Sequence, residues 1–215
     1  MQAKARETAG MDGKAPFWLG LTGSIGMGKS TTLAMFGAEG CALWDADAAV
    51  HRLYARGGAL VGPVAAMFPA ALQGGAIDRA ALKAALGGDP ARLRQLESLV
   101  HPAVAEDRAG FAEDARQQGV DIVVFDIPLL FETGADGQMD AVAVVSTDPE
   151  TQAQRVLARP GMTREALDFI LSRQMPDAEK RARANWVIST DTLADAHAQV
   201  RAICAAIRQE RPDHA

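Results

Sequence analysis

Long apolar runs are missing from this 215-residue chain. No stretch approaches the roughly 20 residues a helix needs to cross a bilayer, and the first residues lack the apolar heart of a secretory signal. The expectation is a cytoplasmic protein with no membrane contact. Cysteine is scarce: there are only Cys41 and Cys204, neither with a second Cys or His at metal spacing. That pattern excludes a disulfide framework and a zinc site, and the apolar surroundings suggest two buried thiols. Positive charge is not in excess either. With 22 Lys and Arg against 27 Asp and Glu the net charge is −5, which argues against a nucleic-acid partner. Repeats and low-complexity tracts are absent, and no feature calls for an obligatory protein partner. What remains is an ordinary globular composition, 48% hydrophobic and 23% charged, long enough to bury a large core.

Residues 1–15 show no periodicity and read as a flexible leader, with Met11 as a second possible start. Short apolar strands then alternate with helical segments. Strands are expected over 17–22, 41–44, 120–125, 141–145 and 186–188, and helices over 29–39, 46–55, 150–159 and 192–209, with two short ones in 163–184. Continuous apolar strands, each ending in a turn and a helix start, imply a parallel sheet covered on both faces. The Ala/Leu-rich stretch 57–119 interrupts that rhythm with helical periodicity and no visible strand, so it reads as an inserted lobe.

The first strand runs into Gly23-Ser24-Ile25-Gly26-Met27-Gly28-Lys29-Ser30, followed by Thr31. The spacing is G-x-x-x-x-G-K-[ST] between a strand and a helix, the context its mechanism requires. Glycines let backbone N–H groups turn inward around phosphate oxygens, and the helix start adds free N–H groups and a positive dipole end. Residues Ser24 to Thr31 are therefore the expected ATP cradle. Lys29 is expected to reach the β/γ-phosphates and Ser30 to ligate Mg²⁺. A GTPase would need D-x-x-G and N/T-K-x-D elements; Asp126 is followed by Ile-Pro-Leu, and no guanine reader occurs. A small-molecule kinase fits better.

A kinase needs a carboxylate at the acceptor hydroxyl. Asp45 and Asp47 end the second strand, at the edge where ligands bind in a doubly wound sheet. One is expected to cap the following helix, and Asp47 to work on the acceptor. His51 lies one turn further on the same face. Asp126 ends the third strand, where it serves either as a turn or cap residue or as a Mg²⁺ ligand through water. Leu129, Leu130 and Phe131 are either core or the lining of an acceptor pocket. Arg155 and Arg159 share a helix face. Segment 155–183 carries seven cations and four anions, flanked by Pro160-Gly161 and Pro176, and reads as a mobile basic lid.

Together TGSIGMGKST, DADAAVH, LVHPAV, DIPLLFE, RVLARPGMT and RQMPDAEKRARANWVI resemble the dephospho-CoA kinase family, from about Phe17 to Arg208. The resemblance implies a P-loop NTPase three-layer α/β fold with a parallel sheet, an inserted helical substrate lobe and a lid. It divides the chain into a core of 16–56, 120–159 and 185–211, a CoA-binding lobe of 57–119 and a lid of 160–184. It implies that ATP phosphorylates the ribose 3′-hydroxyl of dephospho-CoA in the last step of coenzyme A synthesis. Asp47, Lys29 and Arg155 match the family's catalytic positions. Asp45 and Arg159 join the substrate-binding set with Asp47, His51, Leu129, Leu130 and Phe131. His101-Pro102 falls in the lobe. Ser24 and Met27 stand where the family often has smaller residues, both at free positions of the loop. Thr190 stands where it often has Asn.

Overall fold

A computed structural model describes residues 15–211; the expected leader, apart from its last residue, lies outside them. The chain forms two compact units. One comprises the described residues up to Trp44 and those from Asp114 onward, the other Asp45–Glu113. In chain order the first unit starts with β1 (Phe17–Thr22), α1 (Lys29–Ala38) and β2 (Ala42–Asp45). The second contains α2 (Ala46–Tyr54), α3 (Val61–Met67), β3 (Leu72–Gln73), β4 (Ala76–Ile77), α4 (Arg79–Leu86) and most of α5 (Pro90–Gln117). The first unit resumes with β5 (Ile122–Asp126), β6 (Ala141–Ser146), α6 (Pro149–Leu157), α7 (Arg164–Leu171), α8 (Asp177–Arg183), β7 (Trp186–Ser189) and α9 (Leu193–Glu210).

The five-stranded sheet has the order β2-β5-β1-β6-β7. β1 pairs in parallel with β5, from Phe17 opposite Ile122 to Leu21 opposite Asp126, and with β6; β6 pairs in parallel with β7. Parallel pairing brings the carboxyl ends Thr22, Asp126, Ser146 and Ser189 to one edge, where crossover connections leave room for ligands. Strands buried on both faces need apolar residues on both, which is why β5 and β6 read as unbroken apolar runs. On one face Leu19, Leu21, Val124 and Val145 meet Phe36 of α1 and a stripe of α9. The α9 residues are Val200, Ile203, Cys204 and Ile207, the i, i+3, i+4, i+7 spacing of one helix face. Each such side chain contributes roughly 1.5–3 kcal/mol when fully buried. Trp18 packs tilted against Phe125 and Trp44 meets it edge-on, at centroid distances of 4.8 and 5.8 Å.

The two thiols are buried and free, with Sγ atoms 3.7 Å apart. Donation to Cys204 together with burial pushes the Cys41 thiol up, so Cys41 stays protonated and packs as an apolar group. Among the described residues no helix is long and apolar enough to cross a membrane.

The second unit closes on its own core of Tyr54, Leu60, Val64, Phe68, Ile77, Leu82 and Leu96, to which α2 adds Val50 and Leu53. Arg52 of α2 reaches Asp107 of α5 at 2.7 Å. The expectation of a strand-free lobe is corrected here. β3 and β4 form a short antiparallel ladder joined by Gly74-Gly75, both with positive φ, +58° and +82°. That is the backbone a tight primed turn requires, and glycine adopts it without strain. Two-residue strands are too short to show a period-two pattern, so the sequence hides them.

At the far end of the sheet Arg208 of α9 donates to Asp121 and to the Glu39 carbonyl. Burial opposes ionisation of Asp121, but the Arg208 guanidinium outweighs it and holds the carboxyl below its usual range. Its stabilisation is therefore complete above the unfolded value of about 4 and is lost as pH falls through the lower folded value. Arg208→Met is expected to cost about 1 kcal/mol at pH 7. Urea unfolding of the two proteins at descending pH checks this: the difference should shrink below about pH 4.

Candidate active site

Residues 23–28 leave β1 at the sheet's carboxyl edge and turn into α1. Gly26 and Gly28 have φ of +81° and +89°, so their peptides face inward at no steric cost. Space is as restrictive as conformation. A Cβ on Gly26 would lie 2.5 Å from Val156 Cγ2, and one on Gly28 3.2 Å from the Thr190 side chain. α6 and the residues after β7 thus press directly on the loop. α1 begins with no side-chain cap. Among the described residues the N–H groups of Gly26, Gly28, Lys29, Ser30 and Thr31 have no protein acceptor. Free N–H groups at a helix start, reinforced by the helix dipole, are chemically suited to receive an anion.

The loop's other polar groups are held by neighbours. The Met27 N–H bonds the Ser24 carbonyl at 3.2 Å. Thr190 Oγ1 donates to the Met27 carbonyl at 2.8 Å. The Met27 side chain is buried in the core, and its sulfur accepts the Thr147 N–H. Ser24 is also buried. Ile25 is held by two side-chain amides: its N–H donates to Gln174 Oε1 at 3.2 Å, and its carbonyl accepts from Gln152 Nε2 at 2.7 Å.

Lys29 forms an ion pair with Asp126, a carboxylate 2% exposed at the end of β5. Ser30 and Thr31 lie exposed beside it. The Ser30 hydroxyl and the Asp126 carboxylate are hard oxygen donors of the kind Mg²⁺ prefers, and a phosphate-bound Mg²⁺ needs few protein ligands. Among the described residues no cluster of three or more His, Cys, Asp or Glu could hold a metal unaided.

Arg155 donates to Thr190 twice, to Oγ1 at 3.1 Å and to the carbonyl at 2.7 Å. It lines a cavity of about 240 Å³ with Gly26, Gly28, Thr31, Thr192 and Leu193. Arg159, expected on the acceptor, lines that same cavity beside Gly26 and Gly28 of the loop. Of the Leu129–Phe131 triplet only Leu129 presents surface, at 41% exposure; Leu130 and Phe131 are buried. Those two side chains belong to the core rather than to an open pocket. Arg183 stacks on the Phe131 ring at 4.5 Å and pairs with Asp136 at 2.9 Å.

Asp45, Asp47 and His51 belong to the second unit. Asp45 is the cap: its carboxylate accepts the Ala48 N–H at 2.8 Å, as its type favours at a helix start. Asp47 is exposed in the first turn of α2, two residues past the end of β2. His51, one turn on, lines a second cavity of about 300 Å³ with Tyr54, Ile77, Asp78 and Arg79. Burial pushes the Tyr54 phenol up. His101 and Pro102 are exposed on α5.

Sequence reasoning assigned no role to Gln152, Gln174 or Glu132, and it counted Lys180 among the lid cations, whereas Lys180 is buried on Glu132. Glu132 ends the DIPLLFE run; it accepts the Met175 N–H at 2.8 Å and pairs at 2.9 Å with Lys180, which is 0% exposed. Burial opposes Glu132 ionisation, but the Met175 N–H and the Lys180 ammonium outweigh it and hold the carboxyl below its usual range. The R-Q-M-P-D-A-E-K spacing holds Gln174 and Lys180, and the DIPLLFE run ends in Glu132, but neither says what these residues touch, and no spacing marked Gln152.

The family model for dephospho-CoA kinase matches residues 17–195. A dephospho-CoA kinase of Cereibacter sphaeroides is 60% identical over 194 residues, covering 90% of this chain and 97% of that protein. One of Ruegeria pomeroyi is 58% identical over 192 residues, covering 89% and 96%. Among solved structures, TT1252 from Thermus thermophilus is 36% identical with a TM-score of 0.77, over 90% of this chain and 98% of that one. The dephospho-CoA kinase of Campylobacter jejuni shares the fold at a TM-score of 0.62 and 21% identity, over the same fractions.

Gly26→Ala confronts both the positive φ and Val156. We expect a loss of about 1–3 kcal/mol in stability and at least a tenfold loss in nucleotide affinity. Thermal melts and a fluorescent-nucleotide titration check this; wild-type affinity would show that Gly26 shapes no anion site.

Proposed function

The chain belongs to the dephospho-CoA kinase family, and on that premise we propose that it transfers the terminal phosphoryl group of ATP to the ribose 3′-hydroxyl of dephospho-CoA. The products are coenzyme A and ADP, and the reaction closes coenzyme A synthesis in the cytoplasm. The observation that carries this reading is the uncapped start of α1, with its unused N–H groups beside Lys29.

ATP enters with its phosphates on the N–H groups of Gly26 and Gly28–Thr31, the arrangement that phosphoryl transfer exploits. Lys29 exchanges Asp126 for the β/γ-phosphate oxygens. Ser30 would hold Mg²⁺, with Asp126 reaching it through water; the ion, when bound, neutralises charge on the phosphates. The cavity lined by Thr190, Thr192 and Leu193 suits the nucleoside half of ATP. Arg155 and Arg159 line it and supply positive charge on the donor side. The basic segment 160–184 acts as the lid.

The acceptor is held by the other set. The 3′-hydroxyl is a weak nucleophile, and the transition state is loose, so little deprotonation precedes transfer. Asp47 aims the hydroxyl and accepts its proton late. Asp45 is spent as the cap that fixes the first turn of α2, and so the placement of Asp47. His51 and its cavity receive part of the acceptor, as does the exposed Leu129, backed by Leu130 and Phe131 from the core. The remaining helices of 57–119 hold the CoA moiety.

A coupled ADP-release assay tests the reading, with dephospho-CoA run against nucleosides and nucleoside monophosphates. ADP should appear at speed only with dephospho-CoA; a preference for a nucleoside would reassign the acceptor, and release indifferent to any acceptor would reduce the protein to an ATP binder. Asp47→Asn should lower kcat by roughly 10²-fold or more with nucleotide affinity nearly intact. Near-wild-type turnover would remove Asp47 from the role.

A further inference from the structure

Between α7 and α8 the chain passes through Arg173-Gln174-Met175-Pro176, and two adjacent residues there grip two different parts of the phosphate site. Gln174 Oε1 accepts the N–H of Ile25 in the loop. Met175 donates its own N–H to Glu132. Glu132 ends the run whose first residue, Asp126, holds Lys29. The same glutamate is locked by Lys180, one turn into α8 and fully buried. The foot of the basic segment is therefore pinned on one side to the glycine loop and on the other to the loop after β5.

The Ile25 bond stands out by comparison with its neighbours. The loop leaves the N–H groups of Gly26, Gly28, Lys29, Ser30 and Thr31 without a protein acceptor among the described residues but spends this one on a side chain 149 positions away. No helix or strand requires that bond. Gln152 fixes the Ile25 carbonyl from the opposite side, so the residue is clamped between α6 and the α7–α8 connection. A neutral amide suits this place. It accepts the N–H without bringing negative charge to a site built for phosphate, as glutamate would.

We propose that Gln174 is a positioning residue for the transfer: it latches the hinge of segment 160–175 to the leading edge of the phosphate loop, so that the segment's cations close over the terminal phosphate from one fixed register. The latch rests on the phosphate-loop reading of residues 23–30. It acts on the geometry of closure and on exclusion of water from the phosphoryl group, not on the chemistry of the hydroxyl.

Gln174→Met keeps the side chain's length and removes its acceptor. One neutral hydrogen bond translates to roughly threefold to tenfold, so kcat should fall by that factor while KM for ATP moves less than the kcat does. The fraction of ATP hydrolysed without acceptor should rise. In the ligand-free protein, amide hydrogen exchange of the peptides covering 22–28 and 160–175 should quicken, with the melting temperature kept within about 3 °C. Gln174→Glu retains an acceptor oxygen. It should restore slow exchange yet raise KM for ATP, because its charge opposes the phosphates. Wild-type exchange in Gln174→Met overturns the latch. Faster exchange with unchanged kcat and unchanged hydrolysis overturns its role in transfer, and activity lost in step with a fall in melting temperature reassigns Gln174 to fold stability. Lys29→Ala separates the two readings: unchanged kinetics there would sink the phosphate loop, while the exchange result would still decide whether the hinge is latched.

Discussion

A phosphate can be held by backbone only where the protein leaves N–H groups unused, and the first unit is organised around keeping five of them so. Hydrogen-bonding groups that go unpaired in a folded chain are costly. They survive here because the start of α1 has no side-chain cap and because Gly26 and Gly28 hold the loop in its left-handed backbone. That geometry is held from three sides. α6 presses on Gly26 through Val156, Thr190 takes the Met27 carbonyl, and the two glutamines fix Ile25. The sheet supplies the platform: β1 delivers the loop to the edge where β5 delivers Asp126 and β7 leads into Thr190.

Charge is placed with the same economy. Two lysines of the first unit are withdrawn from water onto carboxylates, Lys29 onto Asp126 and Lys180 onto Glu132. Buried pairs of this kind contribute little net stability, since desolvation offsets attraction. Their value lies in geometry. On the proposed function the first pair parks an ammonium at the phosphate cradle, from which it exchanges partners when ATP binds. The second has no reason to exchange and fixes a chain segment. The same chemistry thus serves a mobile role in one place and a static one in the other, and burial separates them: Lys180 is fully enclosed, whereas the Lys29 side chain keeps 18% exposure.

The sequence was informative wherever a local rule acted. Two-sided burial made β5 and β6 legible as apolar runs, and the glycine-lysine-serine spacing announced the loop between β1 and α1. Capping chemistry correctly made one of Asp45 and Asp47 a cap, but only coordinates could say that it is Asp45. The hairpin at Gly74-Gly75 was hidden by its brevity. Leu130 and Phe131 were ambiguous because an apolar residue past a strand end reads the same in a core as in a pocket. Gln174 was missed, and the cavity beside Arg159 was not foreseen, for another reason. What each touches is set by where α6 and the α7–α8 connection pack, and no spacing within either segment encodes that.

The most direct test of the unused-donor claim is a backbone amide NMR titration of the 22.7 kDa protein with ATP. The account predicts that the amide protons of Gly26, Gly28, Lys29, Ser30 and Thr31 move downfield together and saturate at one common affinity, as donors that have gained phosphate oxygens. If ATP binds while those five resonances stay in place, the phosphates sit elsewhere and the account is wrong.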